Sequence, residues 1–200
     1  MTKRITAFER NRLHKLNADG LDKAYAKRDI LYHIEGDTMY IAGTDNLQDV
    51  HDDITKVHMF GSLTEAERYK MVKPILDKNP QINKLVGHSL GGVTALRLQT
   101  EYKREGRDFS VTTYGAPVMG FWAGNNTRYR HPGDPISMFD LGKTHNVLIP
   151  SVNPLTLHSY KGYTYDFDNH DIKTVSQTKP SITIPKDFNS VSTNNSYQTS

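Results

Sequence analysis

A serine flanked by glycines is the first candidate for chemistry in this sequence. Residues 87–92 are Gly-His-Ser-Leu-Gly-Gly, preceded by the apolar run 82–86 and followed by a helix-like run over 93–103. A strand that turns abruptly into a helix holds the central residue, Ser89, in a strained conformation that exposes its hydroxyl. Glycines two positions before and after the serine let strand and helix approach without Cβ clashes. The pattern predicts a nucleophilic serine; the alternative is a passive serine in a glycine-rich turn.

The chain also offers an acid for such a serine. A serine hydroxyl is a poor nucleophile without a base, and the base needs an acid to orient it. In hydrolases built on this kind of turn, the acid and then a histidine follow the serine along the chain. Asp134 is the best-placed acid, because it lies in a turn with one glycine and two prolines directly after a strand-like piece. Asp140 is the runner-up, and Asp134 could instead serve only the turn chemistry of its own loop.

Three histidines follow these acids and are candidates for the base: His145, His158 and His170. We favour His158, which lies late in the chain, just before a polar tail, with Tyr160 and Tyr163 close enough to pack beside it. His145 is too near the candidate acids along the chain, and His170 opens the tail. His158 is therefore the predicted base.

An acyl-transfer site also needs N–H groups that bind the negative oxygen of the tetrahedral intermediate. One usually belongs to the residue after the nucleophile, here Leu90, at the start of a helix where backbone N–H groups have no intrahelical acceptor. The second comes from a loop after an earlier strand, and Thr44 suits this role because it ends the second strand of a predicted hairpin. Thr44 could instead be a simple strand-end turn residue.

The elements that must position these residues are typical of an α/β fold, with a mostly parallel sheet flanked by helices in a single domain. In such sheets the active site lies at the carboxyl ends of the strands, where each candidate falls. We assign residues 1–170 to this domain and residues 171–200, which lack Gly, Ala and Leu, to an extended or poorly ordered polar tail.

The first half of the chain is predicted to contain a helical segment 3–28 divided near Asp19-Gly20, a hairpin of 30–35 and 38–43, an amphipathic segment within 45–61, and a helix from the capping box 62–65 to about 79. The second half is predicted to contain the strand 82–86, the helix from 93, the strand 109–114, and strand-like pieces near 129–130 and 147–149.

Composition excludes several classes of function. Of the 200 residues, 36% are hydrophobic and 24% are charged, and the formal net charge is +3. The absence of Cys and of a His-Glu-x-x-His pattern leads us to expect no disulfide, no metal and no other cofactor. The charge is too weak to indicate a nucleic-acid partner, although it could favour an anionic lipid surface. With no run of 18 apolar residues and no visible secretory leader, we expect a cytoplasmic or virus-particle-associated protein without a transmembrane segment.

Several segments, taken together and in order, resemble the class 3 lipases, a family that includes fungal triacylglycerol lipases and plant phospholipase A1 enzymes. The similarity spans roughly residues 20–165 and is strongest at the serine turn. It implies an α/β-hydrolase fold and a Ser89–Asp134–His158 triad, with Thr44 and Leu90 at the oxyanion hole. The segments are 40–44 (Tyr-Ile-Ala-Gly-Thr, the oxyanion strand), 49–54, 87–92, 113–120 (Thr-Tyr-Gly-Ala-Pro-Val-Met-Gly), 131–136 with the acid, and 158–163 with the histidine.

The resemblance implies a serine carboxylic ester hydrolase that acts on lipid through an acyl-enzyme. Phospholipase A1-like, lysophospholipase and triacylglycerol lipase activities are all compatible with it. A catalytically silent binding or assembly protein, for example on a virus particle, is the alternative from another class, since a fold does not determine function. A thioester or peptide substrate is a third possibility.

The chain departs from the family pattern at two positions and in length. Ala42 stands where the family usually has Arg, and Val50 where it usually has Trp. The connections between the candidate triad residues are short, so the segment 45–61 is the only candidate for a cap over the site. Its apolar stripe could instead pack on the sheet as an ordinary core helix.

Overall fold

The computed structural model describes residues 7–27, 29–43, 63–118, 124–137, 140, 144–146 and 157–165. Within these residues, six strands form one sheet whose spatial order is the order along the chain. The first two strands pair antiparallel, and each later strand pairs parallel with the one before it. The mostly parallel α/β sheet expected from the sequence is thus confirmed. The strands are β1 (Tyr32–Glu35), β2 (Thr38–Ile41), β3 (Lys84–His88), β4 (Ser110–Tyr114), β5 (Asn126–Arg130) and β6 (His145–Asn146).

Helices cover both faces of this sheet. The helices α2 (Leu63–Lys78) and α3 (Leu90–Arg104) pack on each other and on one face, whereas α1 (Ala7–Tyr25) lies on the other. The connections through α2 and α3 advance in one direction across parallel strands, and right-handed crossovers therefore place both helices on the same side. A short helix, α4 (Gly162–Tyr165), packs against α1.

Alternate side chains of the strands contribute to two separate cores, as the two-residue period of a strand requires. Met39 and Leu85 belong to the larger core, which includes side chains of α2 and α3. Their neighbours Tyr40 and Val86 belong to the smaller core with α1. Leu157 also packs in the smaller core, so the segment next to His158 is anchored on the α1 side of the sheet.

The expected break of the first helix was wrong. The helix α1 runs without interruption through Asp19 and Gly20. A Cβ atom built on Gly20 would lie 2.3 Å from Cε1 of Tyr40, so the glycine lets the helix approach the ring on β2. An isolated glycine inside a helix costs about 1 kcal/mol relative to Ala, which packing of this kind can offset.

The hairpin and the strand near 109–114 are confirmed, whereas the boundaries at the serine turn are shifted. The strand expected over 82–86 instead reaches residue 88, and the helix begins at Leu90 instead of residue 93. Gly87 and His88 have weak strand propensity, but both pair with β4 in register. The strand therefore runs up to Ser89 itself, which makes the turn tighter than the apolar pattern indicated.

Several sequence predictions lie outside the described residues. They concern Thr44, the segment 45–61, the capping residue Ser62, the strand-like piece at 147–149 and the tail 171–200. Within the described part of the chain, no helix combines the length and apolar character needed to cross a membrane.

Candidate active site

Ser89 lies between the end of β3 and the first residue of α3. Its backbone has φ 53° and ψ −128°, a conformation that residues other than glycine rarely adopt. The N–H of Ser89 donates to the carbonyl of Tyr114 at 3.0 Å, which ties the turn to the end of β4. The sheet therefore holds the strained serine in place from the neighbouring strand.

The two glycines around Ser89 are required by close backbone contacts. A Cβ atom on Gly87 would lie 2.5 Å from the carbonyl oxygen of Gly91. A Cβ atom on Gly91 would lie 2.2 Å from the carbonyl oxygen of Ile41. The first turn of α3 thus rests directly on the backbone of β2 and β3, and the sequence prediction about these glycines is confirmed.

Ser89, His158 and Asp134 form a continuous line of polar contacts. Nε2 of His158 lies 3.0 Å from Oγ of Ser89, and Nδ1 lies 2.9 Å from Oδ2 of Asp134. The relative exposures of the serine, histidine and aspartate are 1%, 2% and 0%, so the line lies inside the protein. Such a line has the order of a nucleophile, its base and the acid that orients the base.

The two carboxylate oxygens of Asp134 have different partners. Oδ1 accepts the N–H of Ile136 at 2.9 Å, while Oδ2 faces His158. The first contact is the turn chemistry that the sequence offered as an alternative role. The two roles are therefore compatible, and the turn bond fixes the carboxylate that orients the histidine.

Asp140, the alternative acid, lies elsewhere in the fold. Its Oδ1 is 3.0 Å from Nη1 of Arg128, and both side chains are buried. The backbone carbonyl of Asp140 accepts a hydrogen bond from Nη1 of Arg130 at 2.7 Å. Asp140 thus neutralises the buried guanidinium of Arg128, a residue of β5. Of the other histidines considered, His145 lies in β6 with its ring 5.4 Å from that of Tyr129, and His170 is outside the described residues.

The structure describes one of the two residues expected at the oxyanion hole. Leu90 is the first residue of α3, where the N–H has no intrahelical acceptor. Thr44 lies outside the described residues, but Gly43 before it is close to the nucleophile. A Cβ atom on Gly43 would lie 2.7 Å from Cβ of Ser89. The end of β2 therefore runs directly beside the serine.

Sequence reasoning missed two residues beside the serine, His88 and Tyr25. Nδ1 of His88 lies 2.5 Å from the hydroxyl oxygen of Tyr25, and Nε2 lies 2.8 Å from the carbonyl oxygen of His158. Burial, and then the neighbouring His158, lower the pKa of His88 to about 3. The position of His88 next to the nucleophile was a usable signal, whereas Tyr25 carried none because its partner is 63 residues away.

Tyr163 and Gly115 complete the surroundings of the histidine–aspartate pair. The buried hydroxyl of Tyr163 accepts the N–H of His131 at 3.2 Å. Burial, and then the charge of Asp134, raise the pKa of Tyr163, so its hydroxyl stays neutral. Gly115 has φ 58° and lies against the pair.

A family model for class 3 lipases matches residues 36–133. Over this segment, which is 98 of the 200 residues, the chain is similar to the class 3 lipases. The matched segment contains Ser89 and ends one residue before Asp134. The positions of Asp134 and His158 beside the serine are thus known from the geometry of the structure alone.

Among solved structures, the crystal structure of Lip2 lipase from Yarrowia lipolytica at 1.7 Å resolution is similar to this chain. The match has 21% sequence identity and a TM-score of 0.37, and it covers 52% of this chain and 52% of that chain. The similarity thus spans about half the length of each protein. No curated protein sequence matches the chain significantly.

Proposed function

We propose that this protein hydrolyses carboxylic esters of lipids, with Ser89 as nucleophile, His158 as general base and Asp134 as the orienting acid. The observation that carries the proposal is the line of contacts from Oγ of the serine through both histidine nitrogens to the carboxylate. The match of residues 36–133 to a lipase family model supports the substrate class.

The first half of the reaction forms an acyl-enzyme. Oγ of Ser89 attacks the ester carbonyl carbon while Nε2 of His158 takes the hydroxyl proton. The tetrahedral intermediate then collapses, the ester C–O bond breaks, and the histidine gives its proton to the leaving alcohol. The N–H of Leu90, together with that of Thr44, holds the negative oxygen, a contribution of about 3–4 kcal/mol for one donor in a known case.

The second half regenerates the serine. A water molecule attacks the acyl carbonyl while Nε2 of His158 takes one of its protons. The acyl C–O bond to Ser89 breaks, the serine oxygen recovers the proton from the histidine, and the fatty acid leaves. In both halves Asp134 holds the proton on Nδ1, because its Oδ2 faces that nitrogen while its Oδ1 is fixed by the turn.

A lipid surface is the proposed setting for this chemistry. A net charge of +3 gives a mild attraction to anionic lipid, which suits phospholipase A1-like or lysophospholipase activity. Triacylglycerol hydrolysis needs the same groups at the same distances. We assign the gating of the site to the segment 45–61, because it directly follows the proposed oxyanion residue.

Labelling with a fluorophosphonate, followed by a hydrolysis panel, tests the proposal. The probe should modify Ser89 in the wild-type chain and leave Ser89→Ala unmodified. Ser110→Ala is the matched control, because Ser110 is an exposed serine at the start of β4 and should not affect labelling. The panel should contain phospholipids, triacylglycerols and p-nitrophenyl esters of varied chain length. A folded wild-type chain that is neither labelled nor active would favour the silent binding or assembly protein.

A further inference from the structure

A bridge of three hydrogen bonds runs behind Ser89 and joins the end of β2 to the segment that carries His158. The N–H of Gly43 donates to the hydroxyl oxygen of Tyr25 at 2.9 Å. The same hydroxyl is 2.5 Å from Nδ1 of His88. Nε2 of His88 is 2.8 Å from the carbonyl oxygen of His158. Both ends of the bridge are backbone groups, and both middle members are side chains outside the proposed triad.

The chemistry of the partners determines the direction of the two outer bonds. A backbone N–H can only donate, so the oxygen of Tyr25 accepts from Gly43. A carbonyl can only accept, so Nε2 of His88 carries a proton and donates to His158. The direction of the remaining bond depends on the charge of His88: with a neutral imidazole, the Tyr25 O–H donates to the unprotonated Nδ1.

Burial keeps His88 in that neutral form. Its side chain is only 5% exposed, and its pKa is lowered to about 3, first by burial and then by His158. A protonated His88 would present a donor at Nδ1 and lose the acceptor that Tyr25 needs. Near neutral pH the donor and the acceptor in each of the three bonds therefore stay the same.

Ring contacts hold the members of the bridge together. The ring of Tyr25 stacks on that of Tyr160, with centroids 5.1 Å apart and an interplanar angle of 6°. The ring of His88 lies 4.9 Å from that of His158. The hydroxyl of Tyr160 donates to Oδ1 of Asp22 at 2.5 Å, which fixes the segment after His158 on α1. The bridge thus connects the end of β2, at Gly43, with the segment that carries His158.

We infer that Tyr25 and His88 are positioning residues, which set the distance between the oxyanion side of the site and its general base. Gly43 immediately precedes Thr44, the proposed second oxyanion donor, and His158 is the proposed base. The inference rests on the proposed function, because only that chemistry needs both groups fixed relative to Ser89. Catalytic groups must be held to about 0.5 Å, and a displacement of about 1 Å can cost 10²-fold in rate.

The variant Tyr25→Phe tests the inference, because it keeps the ring stacked on Tyr160 and removes only the hydroxyl. On a soluble p-nitrophenyl ester, kcat should fall by about 10- to 100-fold with KM unchanged within about twofold. The rate of fluorophosphonate labelling should fall in parallel. Tyr102→Phe is the matched control: it removes a tyrosine hydroxyl that contacts the carboxylate of Asp77 and the carbonyl of Lys73, on the other side of the sheet. It should lower the melting temperature and leave kcat unchanged.

A spectroscopic readout separates positioning from general stability. In ¹⁵N NMR spectra of the wild-type chain, His88 should be the neutral tautomer with its proton on Nε2, and it should not titrate between about pH 5 and pH 8. Tyr25→Phe should change the Nδ1 shift of His88. A cationic or Nδ1-protonated His88 in the wild-type chain would overturn the bridge.

The kinetic outcomes distinguish the inference from the proposed function. An active wild-type chain with an equally active Tyr25→Phe variant would overturn the positioning role alone. A wild-type chain without labelling or hydrolysis would overturn the proposed function, and the positioning role with it.

Discussion

Gly115 leaves room for the ring of His158. A Cβ atom added to this glycine would lie 3.3 Å from Nδ1 of the histidine and 3.4 Å from Oδ2 of Asp134. The backbone of Gly115 also has φ 58°, in the left-handed region. A side chain here would therefore strain the backbone and crowd the contact between His158 and Asp134, which orients the proposed base.

We predict that Gly115→Ala lowers both stability and activity. The left-handed backbone should cost about 1–2 kcal/mol of unfolding free energy. The contact with His158 should lower kcat about tenfold or more, because the base is displaced. Gly36→Ala is the matched control: Gly36 has φ 61° and a Cβ atom there would meet nothing within 4 Å. Urea unfolding and ester hydrolysis should show similar destabilisation in both variants but an activity loss only at Gly115. Equal activities of the two variants would mean that the His158–Asp134 pair tolerates the methyl group at position 115.

Asp134→Asn and Asp140→Asn should have opposite effects. Asn at 134 retains an oxygen for the N–H of Ile136, so the fold should persist, but it favours the wrong tautomer of His158. The expected loss in kcat is about 10⁴-fold. Asn at 140 leaves the buried charge of Arg128 without its carboxylate, which should cost about 3–5 kcal/mol of stability and spare kcat in the folded fraction.

Steady-state kinetics together with thermal unfolding separate these two outcomes. If Asp140→Asn lowers kcat more than Asp134→Asn does, the acid has been assigned to the wrong residue.

The pH dependence of stability should reflect the buried, neutral side chains of His14 and His88. Burial lowers the pKa of His14 to about 4, and burial lowers that of His88 to about 3. In the unfolded chain both should titrate near the ordinary value of about 6.5, so below that pH the unfolded chain binds more protons. Their stabilising contribution is present above about pH 6.5 and is lost as the pH falls toward 4 and 3. Each should reduce the unfolding free energy by about 1 kcal/mol per pH unit in that window.

Urea unfolding at a series of pH values between about 7 and 4.5 measures this slope. His14→Gln should remove the His14 part of the histidine contribution and leave the part of His88, so the slope should become shallower. A slope equal to that of the wild-type chain would show that His14 is not kept neutral by the fold.

The sequence predicted those parts of the site that depend on local chain geometry. The turn around Ser89 was recognisable because glycines at fixed offsets are a local requirement of a strand that becomes a helix. Asp134 was recognisable from its prolines and glycine. His158 required the order of residues along the chain, and the structure brings its ring to both partners across separations of 69 and 24 residues.

The parts that the sequence did not predict depend on contacts between distant segments. The continuity of α1 depends on the ring of Tyr40 beside Gly20, and a one-dimensional pattern cannot show that contact. The bonds of His88 to Tyr25 and to the carbonyl of His158 join residues 63 and 70 positions apart. The role of Asp140 was not visible in the sequence, because its ion pair with Arg128 exists only in the folded sheet.

The segment 45–61 is predicted to gate the site and to contact lipid, and it lies outside the described residues. Val50 and Ile54 belong to its apolar stripe, and β2 ends beside Ser89 just before this segment begins. If the apolar stripe contacts a lipid interface, charged substitutions weaken binding to that interface. If the stripe is buried in the core, the same substitutions unfold the protein. The double variant Val50→Asp, Ile54→Asp should therefore weaken hydrolysis of vesicle substrates while sparing a soluble short-chain ester and the melting temperature. Its matched control is Asp52→Asn with Asp53→Asn, which changes charge off the stripe. Unfolding of the apolar-to-Asp variant, or equal losses on both substrates, would instead assign the segment to the core.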